Sequence, residues 1–460
     1  MSIVENISRR QLLQNSAVGF GSLALADLLA RESVAGTSMS SGLHFPMRAK
    51  RVIFLFMHGG PSHVDTFDYK PLLARHDGQP LPFDKPRVQF AQTGNLLKSP
   101  WTFRQYGQSG AWVSDLFPQV GQCVDDICFV KSMYGSNEAH GGALLKMHTG
   151  SDTFVRPSMG AWISYGLGSE NENLPSFVTI RPTMGHGGVR NFGSAFLPAE
   201  HQATRIGTIL PTHANIENLK NPKLERGVLR KELDFAQRLN RQQLEQRGHD
   251  AMLEAKIQSM ELAFRMQTEA PELLDLAQET DDTNRLYGLD QPHTANFGRS
   301  CLLARRLSES GVRFVQASHP YWDQHSELKE KHGSLAAEVD KPIAGLLRDL
   351  KARGLLDETL VIWGAEFGRT PTAQGTNGRD HNPHAFTYWM AGGGVKPGYS
   401  HGASDDFGYY AIQDRVHVHD FHATLLHILG IDHERLTYRY GGRDFRLTDV
   451  AGRVVHDILA

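Results

Sequence analysis

Short apolar runs separated by longer amphipathic stretches set the rhythm of this chain. Residues 51–57 (Arg-Val-Ile-Phe-Leu-Phe-Met) and 359–365 (Thr-Leu-Val-Ile-Trp-Gly-Ala) are continuous, apolar, and of the length expected for strands buried on both faces. Runs at 126–133, 177–180, 312–317 and 386–390 read as further strands. Helical patterning falls between them, at 136–150, 297–310, 336–350 and 420–429, the last closed by Gly430, while Pro342 marks a break or a start. Residues 223–268 differ, being dense in Glu, Lys, Arg, Gln and Leu with few breakers, and predict one or two long solvated helices. Such alternation predicts an α/β class: a largely parallel sheet covered by helices on both faces, with a helical insertion at about 223–290.

Composition narrows the function less than the fold. The 460 residues can bury a large core, as one domain with insertions or as two. A formal net charge of −2 gives no electrostatic reason to expect nucleic acid or an anionic membrane as partner. The charge run at 223–268 mixes both signs, which fits a solvated face. Cys123, Cys128 and Cys301 form neither a disulfide framework nor a CxxC pair. The unusual count is 23 histidines, dense between 381 and 433.

The N-terminus carries an address. Ser8-Arg9-Arg10-Gln11-Leu12-Leu13 precedes a weakly apolar, Gly- and Ala-rich run, and Ala24-Leu25-Ala26 offers a cleavage site. This reads as a twin-arginine export signal and linker over 1–43, and predicts a periplasmic or secreted protein. No later segment is long and apolar enough for a spanning helix.

Chemistry gathers after the strands. Four polar clusters lie there: His58 to Asp68, Ser318 to His325, Glu366 to Arg369, and Asp380 to His384. Open α/β sheets place ligands beyond the carboxyl ends of their strands, and divalent metals need oxygen and nitrogen donors gathered from several loops. The expected ligand pool is Asp323, His325, Glu366, Asp380, His381 and His384, with His58 and Asp65 as further members. Asp323 and His325 also fit a hydrogen-bonded loop pair, and Asp380 a turn cap. His417, His419, His422, His427 and His433 are weaker candidates, because surface and packing roles are commoner. Arg369 suits an anionic group or a salt bridge to Glu366. Ser136, between the second strand and its helix, is the candidate nucleophile or else a cap, and His140 a base or ligand.

These motifs carry a resemblance. The arginine pair, His58-Gly59-Gly60-Pro61-Ser62 with Asp65-Thr66-Phe67-Asp68, Trp322-Asp323-Gln324-His325, Glu366-Phe367-Gly368-Arg369-Thr370-Pro371 and His422-Ala423-Thr424-Leu425-Leu426 resemble a largely uncharacterised, planctomycete-rich bacterial family. That family lies in the alkaline phosphatase and sulfatase superfamily. The resemblance implies an α/β/α sandwich, a divalent metal (Zn, Ca, Mg or Mn) and hydrolysis of phosphate or sulfate esters, small or polysaccharide. Departures are specific: Phe367 stands where the superfamily has a metal-binding His, and His58 where it has Asp. The segment from Ser136 to Gly150 lacks the sulfatase Cys and Pro-Ser-Arg. A metal-dependent ester hydrolase is the expectation; the alternative is a catalytically silent binding or envelope-assembly protein that keeps the fold.

Overall fold

In the computed structural model, which describes residues 43–84, 92–207, 216, 219, 224–248 and 250–460, the first apolar run becomes the centre of the sheet. The sheet strands are β1 (Arg51–Met57), β2 (Ile127–Tyr134), β3 (Phe177–Ile180), β4 (Thr204–Ile206), β5 (Phe314–His319), β6 (Thr359–Gly364), β7 (Phe386–Gly392), β8 (Tyr399–His401) and β9 (Val416–His417). Among the described residues they lie in the order β8-β2-β7-β6-β1-β5-β3-β4, with β9 also pairing β2. All pairings are parallel except those of β7, which runs antiparallel to β2 and β6. The C-terminal ends of β1, β2, β3, β5 and β6 therefore share one rim, where the polar clusters emerge.

The principal helices are α1 (His140–Thr149), α2 (Met159–Leu167), α3 (Arg226–Arg247), α4 (Ala251–Leu274), α5 (Ala295–Glu309), α6 (Leu328–Ala352) and α7 (Val418–Ile428). Alternation along β1 assigns them to faces. Ile53, Leu55 and Met57 share a core with Leu302, Leu303 and Leu307 of α5 and Val339, Ile343, Leu346 and Leu350 of α6. Phe54 and Phe56 point the other way, Phe54 toward Phe421 of α7 and Phe56 onto His148 of α1, with ring centroids 6.5 and 4.6 Å apart. This is the expected α/β/α sandwich.

Two sequence expectations change. Helix α6 runs unbroken through Pro342 and starts eight residues before the predicted 336. The buried stripe of Leu335, Val339, Ile343, Leu346 and Leu350 holds it, outweighing the lost backbone hydrogen bond. The first strand residue expected at 126 instead closes a 3-10 turn, and β2 starts at Ile127. In the insertion, α3 and α4 are joined by Arg230, whose two terminal nitrogens donate to Glu261 at 2.9 Å each.

The hairpin of Tyr438–Tyr440 with Arg443–Phe445 belongs to a second compact unit. Residues 1–42, which carry the expected export signal, lie outside the described residues. No helix among the described residues is long and apolar enough to cross a membrane.

Candidate metal centre

Three imidazoles converge on the carboxylate of Asp323. His140, the first residue of α1, brings Nε2 to 3.2 Å from Asp323 Oδ2; His325 and His381 bring theirs to 2.9 and 3.1 Å from Oδ1. Each ring is held from behind by its other nitrogen. His140 Nδ1 donates to Glu366 Oε1 at 2.7 Å, His381 Nδ1 to the Glu138 carbonyl at 2.6 Å, and His325 Nδ1 to the Gln374 side chain. An Nδ1 that faces an acceptor carries the ring proton, so in the neutral ring Nε2 is a lone pair. Lone pairs aimed at a carboxylate repel it unless protons or a cation lie between.

The titration behaviour follows from this crowding. Burial pulls the His140 pKa down, but the hydrogen bonds to Asp323 and Glu366 outweigh it and raise the group to about 9. Burial opposes the charge on Asp323 as well, yet His140, His325, His381 and Arg369 hold its carboxyl well below the usual range. Asp323 raises His325, while burial lowers His381. Without another cation, protons must balance these carboxylates.

Support comes from residues that do not face the opening. Glu366 follows β6, is buried, and besides His140 accepts the Gly59 N–H at 2.9 and 3.2 Å. Gly59 has φ +116°, and a Cβ there would meet the backbone nitrogens of Trp322 and Asp323 at 2.7 and 2.8 Å. Only glycine admits this approach of the two loops. Arg369 is fully buried and donates to the carbonyls of Gly59, Gly60, Trp322 and Arg379 and to Asp323 Oδ1 at 2.6 Å. It therefore clamps the strand-end loops and Asp323, and its donors are spent there rather than on the open face. Phe367, which has no donor atom, stacks on His381 with ring centroids 4.4 Å apart and also lies against His140.

The other expected residues divide. Asp380 lies beside His381, whose backbone N–H its Oδ1 accepts at 2.8 Å, and 3.9 Å from His325 Nδ1. Among the described residues, two groups have donor atoms close enough to share one ion: His140, Asp323 and His381, and His325, Asp380 and His381. Glu366 is in neither. His58 sits at the edge, its ring centroid 6.0 Å from that of His140, with a buried Nε2 that has no hydrogen-bond partner among the described residues and a pKa lowered by burial.

Asp65 and His384 are not brought to these groups. Asp65 is fully buried and paired in two places with Arg379, at 2.6 and 3.1 Å. His384 lies against Tyr409 and Tyr410. Ser136 is exposed in the loop before α1. His419 and His422 hydrogen-bond the carbonyls of Gly150 and Met147, which docks α7 on α1. His140, the base or ligand candidate, is brought to Asp323 and Glu366, whereas His186, an exposed ring stacked on His140 at 5.0 Å, was not legible. Nothing in the spacing singles out His186.

Among solved structures, the chain is similar to the PsFucS1 sulfatase from Pseudoalteromonas sp., with 14% identity and a TM-score of 0.36, over 89% of this chain and 71% of that one. It is also similar to the lipoteichoic acid synthase LtaP from Listeria monocytogenes, with 8% identity and a TM-score of 0.37, over 90% and 79%. A protein in the alkaline phosphatase superfamily from Vibrio parahaemolyticus gives 12% identity and a TM-score of 0.36, over 91% and 72%. No curated protein matches. Residues 49–459 match the family described as "Protein of unknown function (DUF1501)", and the chain belongs to that family.

Proposed function

We propose that the protein is an exported, metal-dependent hydrolase of phosphate or sulfate esters. One observation carries the reading: three imidazoles, each with its Nδ1 proton committed to an acceptor, present Nε2 within 2.9 to 3.2 Å of a single carboxylate. The spacing of His140, Asp323 and His381 suits ligands of one divalent ion with bonds of about 2.0–2.2 Å. His140, Asp323 and His381 would hold it, with His325 and Asp380 beside them, and the metal would polarise the ester and lower the pKa of a bound water.

The chain's own residues do the rest. Glu366, Glu138 and Gln374 fix the three ring tautomers, and Arg369 fixes Asp323, so the donors are arranged before any substrate arrives. Ser136, exposed ahead of the N-terminus of α1, is the side chain offered as nucleophile; an activated water is the alternative.

The test is metal analysis of protein purified without added metal, together with a panel of phosphate and sulfate esters. The expected result is near-stoichiometric metal and turnover of at least one ester class, both lost in Asp323→Asn. Sub-stoichiometric metal, with no turnover after reconstitution, would overturn the hydrolase and leave the silent, fold-retaining alternative.

A further inference from the structure

A groove along the flank of α6 takes no part in the metal centre. It encloses about 540 Å³ between the first half of α6, the segment that ends in the short helix Pro118–Gly121, and the loop 288–294 that leads into α5. Both walls are fixed from behind. Asp340 of α6 is buried and accepts the backbone N–H groups of Gln119 and Val120 at 2.9 and 2.8 Å. Thr294, also buried, donates to the Gly288 carbonyl.

Gly333 and Ala337, one turn apart on α6, form the floor. Glycine inside a helix is destabilising, and a crowded neighbour is its usual justification. Gly345 of the same helix has one, because a Cβ there would lie 2.4 Å from the Leu286 carbonyl oxygen. Gly333 has none: its backbone is ordinary helix, and a Cβ would meet no heavy atom of another element within 4 Å. Any side chain at 333 would stand in the groove, so the glycine serves the open space rather than the packing.

The lining is chemically specific. Trp101, half-buried with its ring 6.2 Å from that of His332, forms one side. Gln119, Gln291 and His293 are also in the lining, and their side chains have no hydrogen-bond partner among the described residues. An anion would meet Asp115 at the edge, while Lys341 is engaged with Asp290 at 3.4 Å. An aliphatic ligand would cover the amides without pairing them. A neutral polyhydroxylated ring suits both kinds of group: its C–H face packs on an indole, and its hydroxyls donate and accept as amides and imidazole do.

We infer that this groove is a saccharide-binding site, separate from the metal centre, which holds the protein on a neutral glycan. It stands whether or not the centre hydrolyses an ester. Saturation-transfer NMR and calorimetry on the metal-loaded protein, against neutral hexasaccharides of glucose, mannose, xylose, galactose and N-acetylglucosamine, read the binding. At least one series should bind with a Kd of about 0.1–1 mM. Trp101→Ala should weaken it about 10-fold, with metal content unchanged. Gly333→Gln puts a better helix former on the floor and fills it, so binding should be lost while the melting temperature holds or rises. Asp323→Asn, the variant expected to lose metal, should bind the saccharide as the wild type does.

No saturable binding below about 10 mM from any series would overturn the site. So would binding that survives Gly333→Gln, or that disappears in Asp323→Asn and thereby belongs to the metal centre. A melting temperature of Gly333→Gln several degrees below wild type would show that the glycine serves packing after all, and the site would fall with it.

Discussion

Replacing Asp65 by Asn should damage this protein far more than its distance from the metal-ligating groups suggests. Asp65 and Arg379 are both fully buried, and Arg379 donates to Asp65 through Nε at 2.6 Å and Nη2 at 3.1 Å. Its remaining donors reach the carbonyls of Thr370 and Leu97 at 3.1 and 3.0 Å. Burial opposes the charge on Asp65, yet the guanidinium keeps the carboxyl pKa below its usual value. Asn keeps the shape and removes the charge, leaving an uncompensated guanidinium in the core. Breaking a buried pair from one side costs about 3–5 kcal/mol, whereas replacing both partners by apolar groups is often near neutral.

The ordering Asp65→Asn far below wild type, with Asp65→Leu/Arg379→Met recovering most of the difference, should appear in urea unfolding followed by tryptophan fluorescence. Arg379 also precedes Asp380 and His381 on the strand Gly378–Asn382, so the single variant should bind metal more weakly. A single-variant loss below about 1 kcal/mol would refute the reasoning, because the charge would then have to be solvated rather than buried.

Further expectations concern pH, support and backbone. His332 is buried with Nδ1 donating to Gln324 and Nε2 accepting the Ser62 N–H, and burial lowers its pKa to about 3. A depressed folded pKa means that this stability is complete above pH 6.5 and is lost as pH falls toward 3, by about 1.4 kcal/mol per unit. Denaturant midpoints between pH 7 and 5 should fall accordingly, and less steeply in His332→Leu. Glu366→Gln should weaken metal binding about 10- to 100-fold while leaving the fold in place, because it removes the charge behind His140 and not a ligand; competition with a chelator measures this. Gly59→Ala should lower both melting temperature and metal content, since its Cβ would strike backbone atoms of the loop that carries Asp323. Unchanged metal content would show that the loop yields freely.

The sheet was legible because buried parallel strands leave continuous apolar runs, and residues 51–57 and 359–365 have that form. The strand-end clusters were legible for the same reason, since each run is followed directly by polar side chains. Partnership was not. Glu366 ends an apolar strand and needs a partner, yet the partner is His140, 226 positions away, and no local pattern names it. Asp65 reads as a ligand in the sequence, and its pairing with Arg379 across 314 positions, which no local pattern names, takes it away from that role. Pro342 misled because propensity describes an isolated helix, while α6 is held by the core it covers.

Strand β1 has a consequence for how the chain is made. Val52 pairs with Phe314 on one side and with Leu360 on the other, so both edges of the first strand await segments synthesised some 260 to 310 residues later. At about 5–20 residues per second, the middle of the sheet stays open for roughly 10–60 s of translation. During that interval an apolar strand with two free edges has no native neighbour, which invites capture by a chaperone or by another nascent chain. Truncations ending before residue 314 should therefore accumulate as aggregates, and a slowed ribosome should make the full-length protein harder, not easier, to fold.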